Sequence, residues 1–260
     1  MSDEPTTNGN VSDSQPEAEA VPAEAVPPAP PANARPKWET EARERVKSAV
    51  KKFSKPLADL TARDANEGDT RLAVTDFLCE GLGYDKYIDL TTEYAVRGEF
   101  ADYGVRIDKE LVAFIEVKRI ATKLNAKHLR QVQTYAVNEG VEWMILTNGA
   151  EWQAYHLTGG LPVITELAFS VNLLGEGTVA QKAKVLFYLT RESFKKRQID
   201  ELWKARRATS PESLGKILRS ESVLGAVRRE LWRQTRQRLE PDDLLRLLEE
   251  TVLRPECLGK

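Results

Sequence analysis

Between Leu90 and Lys118 the apolar residues alternate with polar ones instead of returning every third or fourth position, in the runs Leu90–Val96, Phe100–Ile107 and Leu111–Lys118. Alternation of this kind fits strands with one face buried, not helices. The tight polar link Asp108-Lys109-Glu110 folds the second run antiparallel to the third. A helical pattern follows over Asn125–Glu139, with Leu129, Val132, Tyr135 and Ala136 on one side. A short apolar strand comes next at Trp143–Thr147, and Asn148-Gly149 then gives a hairpin signal leading into Glu151–His156. The turn Gly159-Gly160 leads into a further strand at Leu161–Phe169. Strands interleaved with helices in this way predict an α/β (α+β) chain.

The flanks differ in character. Residues 1–36 are Pro- and Ala-rich with a net charge of −5, hold almost nothing large to bury, and are expected to be disordered. Residues 37–66 switch to helix formers with Val46, Val50 and Phe53 at helical spacing, and Pro56 is expected to kink or divide that helix. Asp69-Thr70 offers an N-cap for a helix running to Leu82, and Gly83 stands where a left-handed C-terminal residue belongs. Residues 67–174 are thus read as the α/β unit and 175–260 as a helical one. Its helices are expected near Val179–Thr190, Glu192–Arg207, Pro211–Arg219, Ser222–Gln237 and Pro241–Leu253. Residues 176–260 carry a net charge of +6, which suits either a phosphate-backbone partner or solvated helix faces.

Several classes are disfavoured. No apolar run approaches the roughly 18 residues of a membrane span, and the acidic N-terminus lacks a secretory h-region. Cys79 and Cys257 have neither disulfide nor zinc spacing, and Cys79 reads as core packing. A cytoplasmic location is the expectation.

The chemistry concentrates on three residues. Glu116 and Lys118 end an apolar strand two positions apart, so both project from one face. By itself such a pair is in most cases structural, a surface ion pair. Asp102 lies fourteen residues before Glu116, and a hairpin centred near Lys109 makes the two acids cross-strand neighbours. Two adjacent carboxylates repel unless a cation or proton intervenes. A hard divalent ion such as Mg²⁺ takes one or two carboxylates plus water and substrate phosphate. Lys118 beside it would orient the attacking water or offset charge on phosphate. The set suits metal-assisted phosphodiester hydrolysis.

These residues resemble the PD-(D/E)xK nuclease superfamily, with Asp102 as the first acid and Glu116-Val117-Lys118 as the ExK element. More narrowly, the chain resembles the N-terminal nuclease domain of type I restriction enzyme R subunits over about Glu67–Leu157. Three flanking motifs carry that narrower resemblance. They are Glu67-x-x-Thr70-Arg71 before a helix ending in Leu82-Gly83-Tyr84-Asp85, Gln131-x-x-x-Tyr135, and Thr147-Asn148-Gly149 followed by Trp152 and Tyr155. The resemblance implies a restriction-endonuclease-like fold with a mixed central sheet flanked by helices, Mg²⁺ (or Mn²⁺) on Asp102 and Glu116, and Lys118 serving the hydrolytic water. It also implies a helix glutamate at the site, for which Glu67 matches and Glu93 is the rival by proximity. Gln131 and Tyr135 are implied to lie near the site and contact DNA.

Alternatives stay open at several of these positions. Glu67 also suits a helix-entry acid, Tyr135 a core residue with Gln131 as its polar neighbour, and Arg119 either a phosphate contact or a surface residue. Trp143 and Trp152 read as core. Unlike the full R subunit, the sequence holds no G-x-x-x-x-G-K-[ST] loop, so it is expected to act as a stand-alone domain with no ATP site or motor. The expected activity is a Mg²⁺-dependent, restriction- or defence-like DNA endonuclease. The alternatives are an inactive nucleic-acid- or protein-binding module that keeps the fold, and a scaffold whose C-terminal helices bind a protein partner or a second copy.

Overall fold

A computed structural model describes residues 35–159 and 163–259. Most of the acidic segment 1–36, Gly160 of the predicted turn and the Leu161-Pro162 start of the last predicted strand lie outside the described residues. Six strands form one sheet in sequence order: β1 (Leu90–Val96), β2 (Glu99–Ile107), β3 (Glu110–Val117), β4 (Trp143–Thr147), β5 (Glu151–Thr158) and β6 (Ile164–Asn172). Neighbours run antiparallel except β3 and β4, which are parallel because α3 (Ala126–Glu139) makes the crossover between them. The sheet is therefore mixed and flanked by helices, as the resemblance implies.

Alternation along the strands sorts side chains onto two faces. On β3, Ala113, Ile115 and Val117 join the larger core cluster, while Phe114 joins the smaller one beneath α3 with Met144, Leu146, Val132, Tyr135 and Ala136. The larger face is covered by α1 (Lys37–Ala62), α2 (Glu67–Asp76) with its π-helical continuation Phe77–Gly81, α4 (Val179–Leu186) and α6 (Gln198–Ala208). Phe53, Phe77 and Trp152 meet there ring to ring at 5.4 and 5.3 Å. Each such buried side chain contributes about 1.5–3 kcal/mol. Trp143 and Trp152 are both buried, and Cys79 packs against this core, as expected of them.

Several local expectations are corrected. The first helix is not divided at Pro56: it runs from Lys37 to Ala62, with Phe53 and Leu57 buried on either side of an exposed Pro56. The helix predicted from Asp69-Thr70 starts at Glu67, because the Asn66 side chain caps it by accepting from the Asp69 N–H at 2.8 Å. Thr70 instead donates to the Asn66 carbonyl and accepts from the Ile120 N–H at 3.1 Å. The single helix expected over Glu192–Arg207 is two, α5 (Arg191–Lys195) and α6, parted at Arg197 in the left-handed region. Gly83 does take its expected left-handed conformation, φ +80°.

Beyond α6 lie α7 (Pro211–Leu218), α8 (Glu221–Thr235) and α9 (Pro241–Leu247). Among the described residues these three helices bury only Leu224 and Leu244 as large apolar side chains. No helix among the described residues is long and apolar enough to cross a membrane.

Candidate active site

The β2–β3 hairpin sets the geometry. Asp108 and Lys109 form its turn with φ of 51° and 76°, pairing Ile107 with Glu110. That turn alone would set Asp102 opposite Ile115. A bulge between Val105 and Arg106 shifts the register by one, pairing Tyr103 with Ile115, and continuing it brings Asp102 opposite Glu116. The Asp102 carboxylate accepts from the Val117 N–H at 2.7 Å, so the first acid is fixed to the backbone beside the second.

Glu116 lies on the α3 side of β3, two residues beyond Phe114, and is 3% exposed. Strand β3 ends at Val117, but the Lys118 N–H still donates to the Thr147 carbonyl at 2.8 Å and carries the parallel ladder one residue further. That places the Lys118 ammonium 2.6 Å from Glu116 Oε1 and within 3.4 Å of Gln131 Oε1 on α3. Gln131 in turn donates to the Tyr135 hydroxyl at 3.0 Å. Tyr135 is buried at 1% exposure and packs edge-on against Phe114, so it anchors the exposed Gln131 and offers no surface of its own.

The other predicted residues are more dispersed. Glu67, exposed in the first turn of α2, is close enough to add to the negative field on Asp102. Glu93 is largely exposed and sits 3.8 Å from Arg71. Arg119 points to Asp64 at 3.2 Å and is half exposed. Two residues escape the sequence reading. Arg71 on α2 forms an ion pair with Asp102 Oδ1; its place in the Thr70-Arg71 motif is the signal that could find it. His128, near the start of α3, lies within electrostatic reach of Lys118 and Glu67, and its Nδ1 is buried without a partner.

Burial pushes the Asp102 carboxyl above its ordinary value; the Val117 N–H, Arg71 and Lys118 pull it part of the way back, and Glu67 adds to the rise. Burial also raises Glu116, the Asp102 charge raises it further, and Lys118 opposes both. Glu116 Oε2 is buried with no hydrogen-bond partner. An orphaned carboxylate oxygen beside a second carboxylate fits a hard divalent cation, which would satisfy that oxygen and screen the repulsion. Among the described residues no group of three or more His, Cys, Asp or Glu side chains is arranged to hold a metal ion. Such a cation would therefore rest on two carboxylates, with water and substrate oxygens completing its shell.

Residues 66–167 match the family described as the type I restriction enzyme R protein N terminus. No curated protein and no solved structure matched the chain.

Proposed function

From the match of residues 66–167 to the type I restriction enzyme R protein N-terminal family, we propose that this chain is a Mg²⁺-dependent nuclease that hydrolyses phosphodiester bonds of DNA. The observation that carries the reading is the unpartnered, buried Oε2 of Glu116, whose other oxygen holds the Lys118 ammonium and whose charge is coupled to that of Asp102. Asp102 and Glu116 would hold the ion, and Glu67 is the further acid that the family resemblance adds to the set. A bound Mg²⁺ would supply Lewis acidity toward the phosphate and a lowered pKa for its water.

The chain's own residues do the positioning. The Val117 N–H fixes the Asp102 carboxylate, and the Thr147 carbonyl fixes the backbone of Lys118. The Lys118 ammonium, held between Glu116 and Gln131, has one donor left to orient water, and its charge would offset charge building on a phosphate oxygen. Gln131 and Arg119 stand exposed at the rim, where a DNA backbone would meet them. Mn²⁺ has the same preference for oxygen ligands and would substitute.

A second reading, a binding module without catalysis, draws on Arg71. Its guanidinium on Asp102 and the Lys118 ammonium on Glu116 neutralise both acids without any metal. The two readings part in one assay: purified protein with plasmid and linear DNA, in Mg²⁺ and in EDTA, beside Asp102→Ala. Cleavage in Mg²⁺ that is lost in EDTA and in the variant supports the nuclease. Cleavage that survives the substitution refutes the assignment, and metal binding without cleavage selects the binding module.

A further inference from the structure

The basic C-terminal helices lie outside the matched family segment, and one face of α8 stands apart from the rest. Positions 225, 228, 229 and 232 fall on a single helical face, occupied by Gly225, Arg228, Arg229 and Trp232. Helix α8 ends on Arg236 in the left-handed conformation, φ +59°, which turns the following segment back along the helix. Arg228 Nε pins that return by donating to the Leu239 carbonyl at 2.6 Å. Between helix and return lies a groove of about 650 Å³ lined by Arg228, Arg229, Trp232, Arg233 and Arg238, with Gly225 at its floor. Among the described residues no acidic side chain lines it.

The charges there are only partly neutralised. Arg233 pairs with Glu230 at 2.7 Å, and Arg228 has Glu240 at 3.9 Å. Among the described residues Arg229, Arg236 and Arg238 have no carboxylate partner. Trp232 is 44% exposed in the midst of them, with the Arg236 guanidinium 4.8 Å from its ring centre. Arginine forks match phosphate oxygens in geometry and charge. Arg236 covers one face of the half-exposed indole, and the π surface left open is one on which an unstacked base can lie. Exposed arginine and tryptophan would also suit a protein interface, but a groove this rich in uncompensated positive charge calls for a polyanion.

We propose that this groove binds single-stranded nucleic acid, with phosphates on Arg229 and Arg238 and a base on Trp232. The proposal stands whether or not the acidic site cleaves. The test is fluorescence anisotropy of a labelled oligothymidylate with the full chain in EDTA, where no metal-dependent cleavage can intervene, over about 50–200 mM salt. Trp232→Ala should weaken binding about tenfold, and Trp232→Phe should restore most of the loss. Arg229→Ala with Arg238→Ala should also flatten the dependence of log affinity on log salt, by about 0.7 for each phosphate no longer neutralised. An unlabelled duplex of equal length should compete more weakly than the single strand, because its bases stay stacked. The proposal is overturned if the variants keep wild-type affinity and salt slope, or if duplex competes as well as the single strand. It also fails if Trp232→Ala alters the sedimentation of the free protein while leaving oligothymidylate affinity intact, since the face would then belong to a second copy of the chain.

Discussion

Glu116→Gln should make the protein more stable at neutral pH while removing its proposed catalytic function. Glu116 is 3% exposed, and one of its two oxygens has no partner. Burial first, and the Asp102 charge second, raise its folded pKa above the ordinary 4.5. A carboxyl raised in this way contributes stability below about pH 4.5 that is lost as the pH climbs through the folded pKa. Charged Glu116 is thus a net burden at neutral pH. Leaving a buried polar atom unsatisfied costs about 1–3 kcal/mol, and in the variant an amide NH2 replaces Oε2 and can donate toward the neighbouring Asp102 carboxylate, recovering part of that cost. Against this, the variant gives up the Lys118 ion pair, whose lysine is 16% exposed, although the amide oxygen can still accept from the ammonium. The net gain is on the order of 1 kcal/mol, or about 2–4 °C in Tm for a chain of this size. Thermal unfolding in EDTA would read it at neutral pH and again below pH 4.5, where the advantage should vanish because the wild-type carboxyl is then protonated. Added Mg²⁺ should raise the Tm of the wild type and leave the variant unmoved. A variant less stable than wild type at neutral pH, or an advantage that persists unchanged in acid, would refute the reasoning.

Other substitutions probe the surroundings of the site. Arg71→Ala removes the partner of Asp102 and should lower stability in EDTA by about 1–3 kcal/mol, with part of the loss recovered in Mg²⁺; denaturant titration would read both. Thr70→Val strands the buried Ile120 N–H and should cost about 1–3 kcal/mol in the same titration. Gly104→Ala drives a methyl group to within 2.5 Å of the Tyr94 ring and should cost about 1–3 kcal/mol through overpacking, seen as a lower Tm. Gln131→Ala frees Lys118 from α3 and should slow cleavage with little change in Tm, since Gln131 is exposed.

The sheet and the acid pair are legible in the sequence because they depend on local signals. Alternation marks β1 to β3, and a tight turn near Lys109 gives the Asp102–Glu116 juxtaposition. That inference holds with help from a feature the sequence does not announce, the bulge between Val105 and Arg106, which restores the register the turn alone would miss. Arg71 is harder to assign a role, because its contact with Asp102 is made by packing α2 against β3, which no periodicity encodes. The start of α2 lies three residues earlier than the Asp69-Thr70 signal suggests, because the Asn66 side chain takes the Asp69 N–H and leaves Thr70 inside the helix, free to accept from Ile120. The break at Arg197 has no glycine or proline to signal it. It lets Phe194 and Ile199 both reach the core while Asp200 accepts from the Trp143 indole at 2.8 Å, so tertiary contacts override helix propensity there.

Lys118 offers the sharpest comparison, because the proposed hydrolysis uses it without making it a ligand to the ion. Cleavage of a labelled duplex should be followed at saturating Mg²⁺ for wild type and Lys118→Ala, with duplex affinity measured separately in EDTA. The expected result is a rate reduced by about 10²-fold or more with duplex affinity largely kept. Cleavage by Lys118→Ala at the wild-type rate would contradict the assignment of these three side chains as a hydrolytic centre.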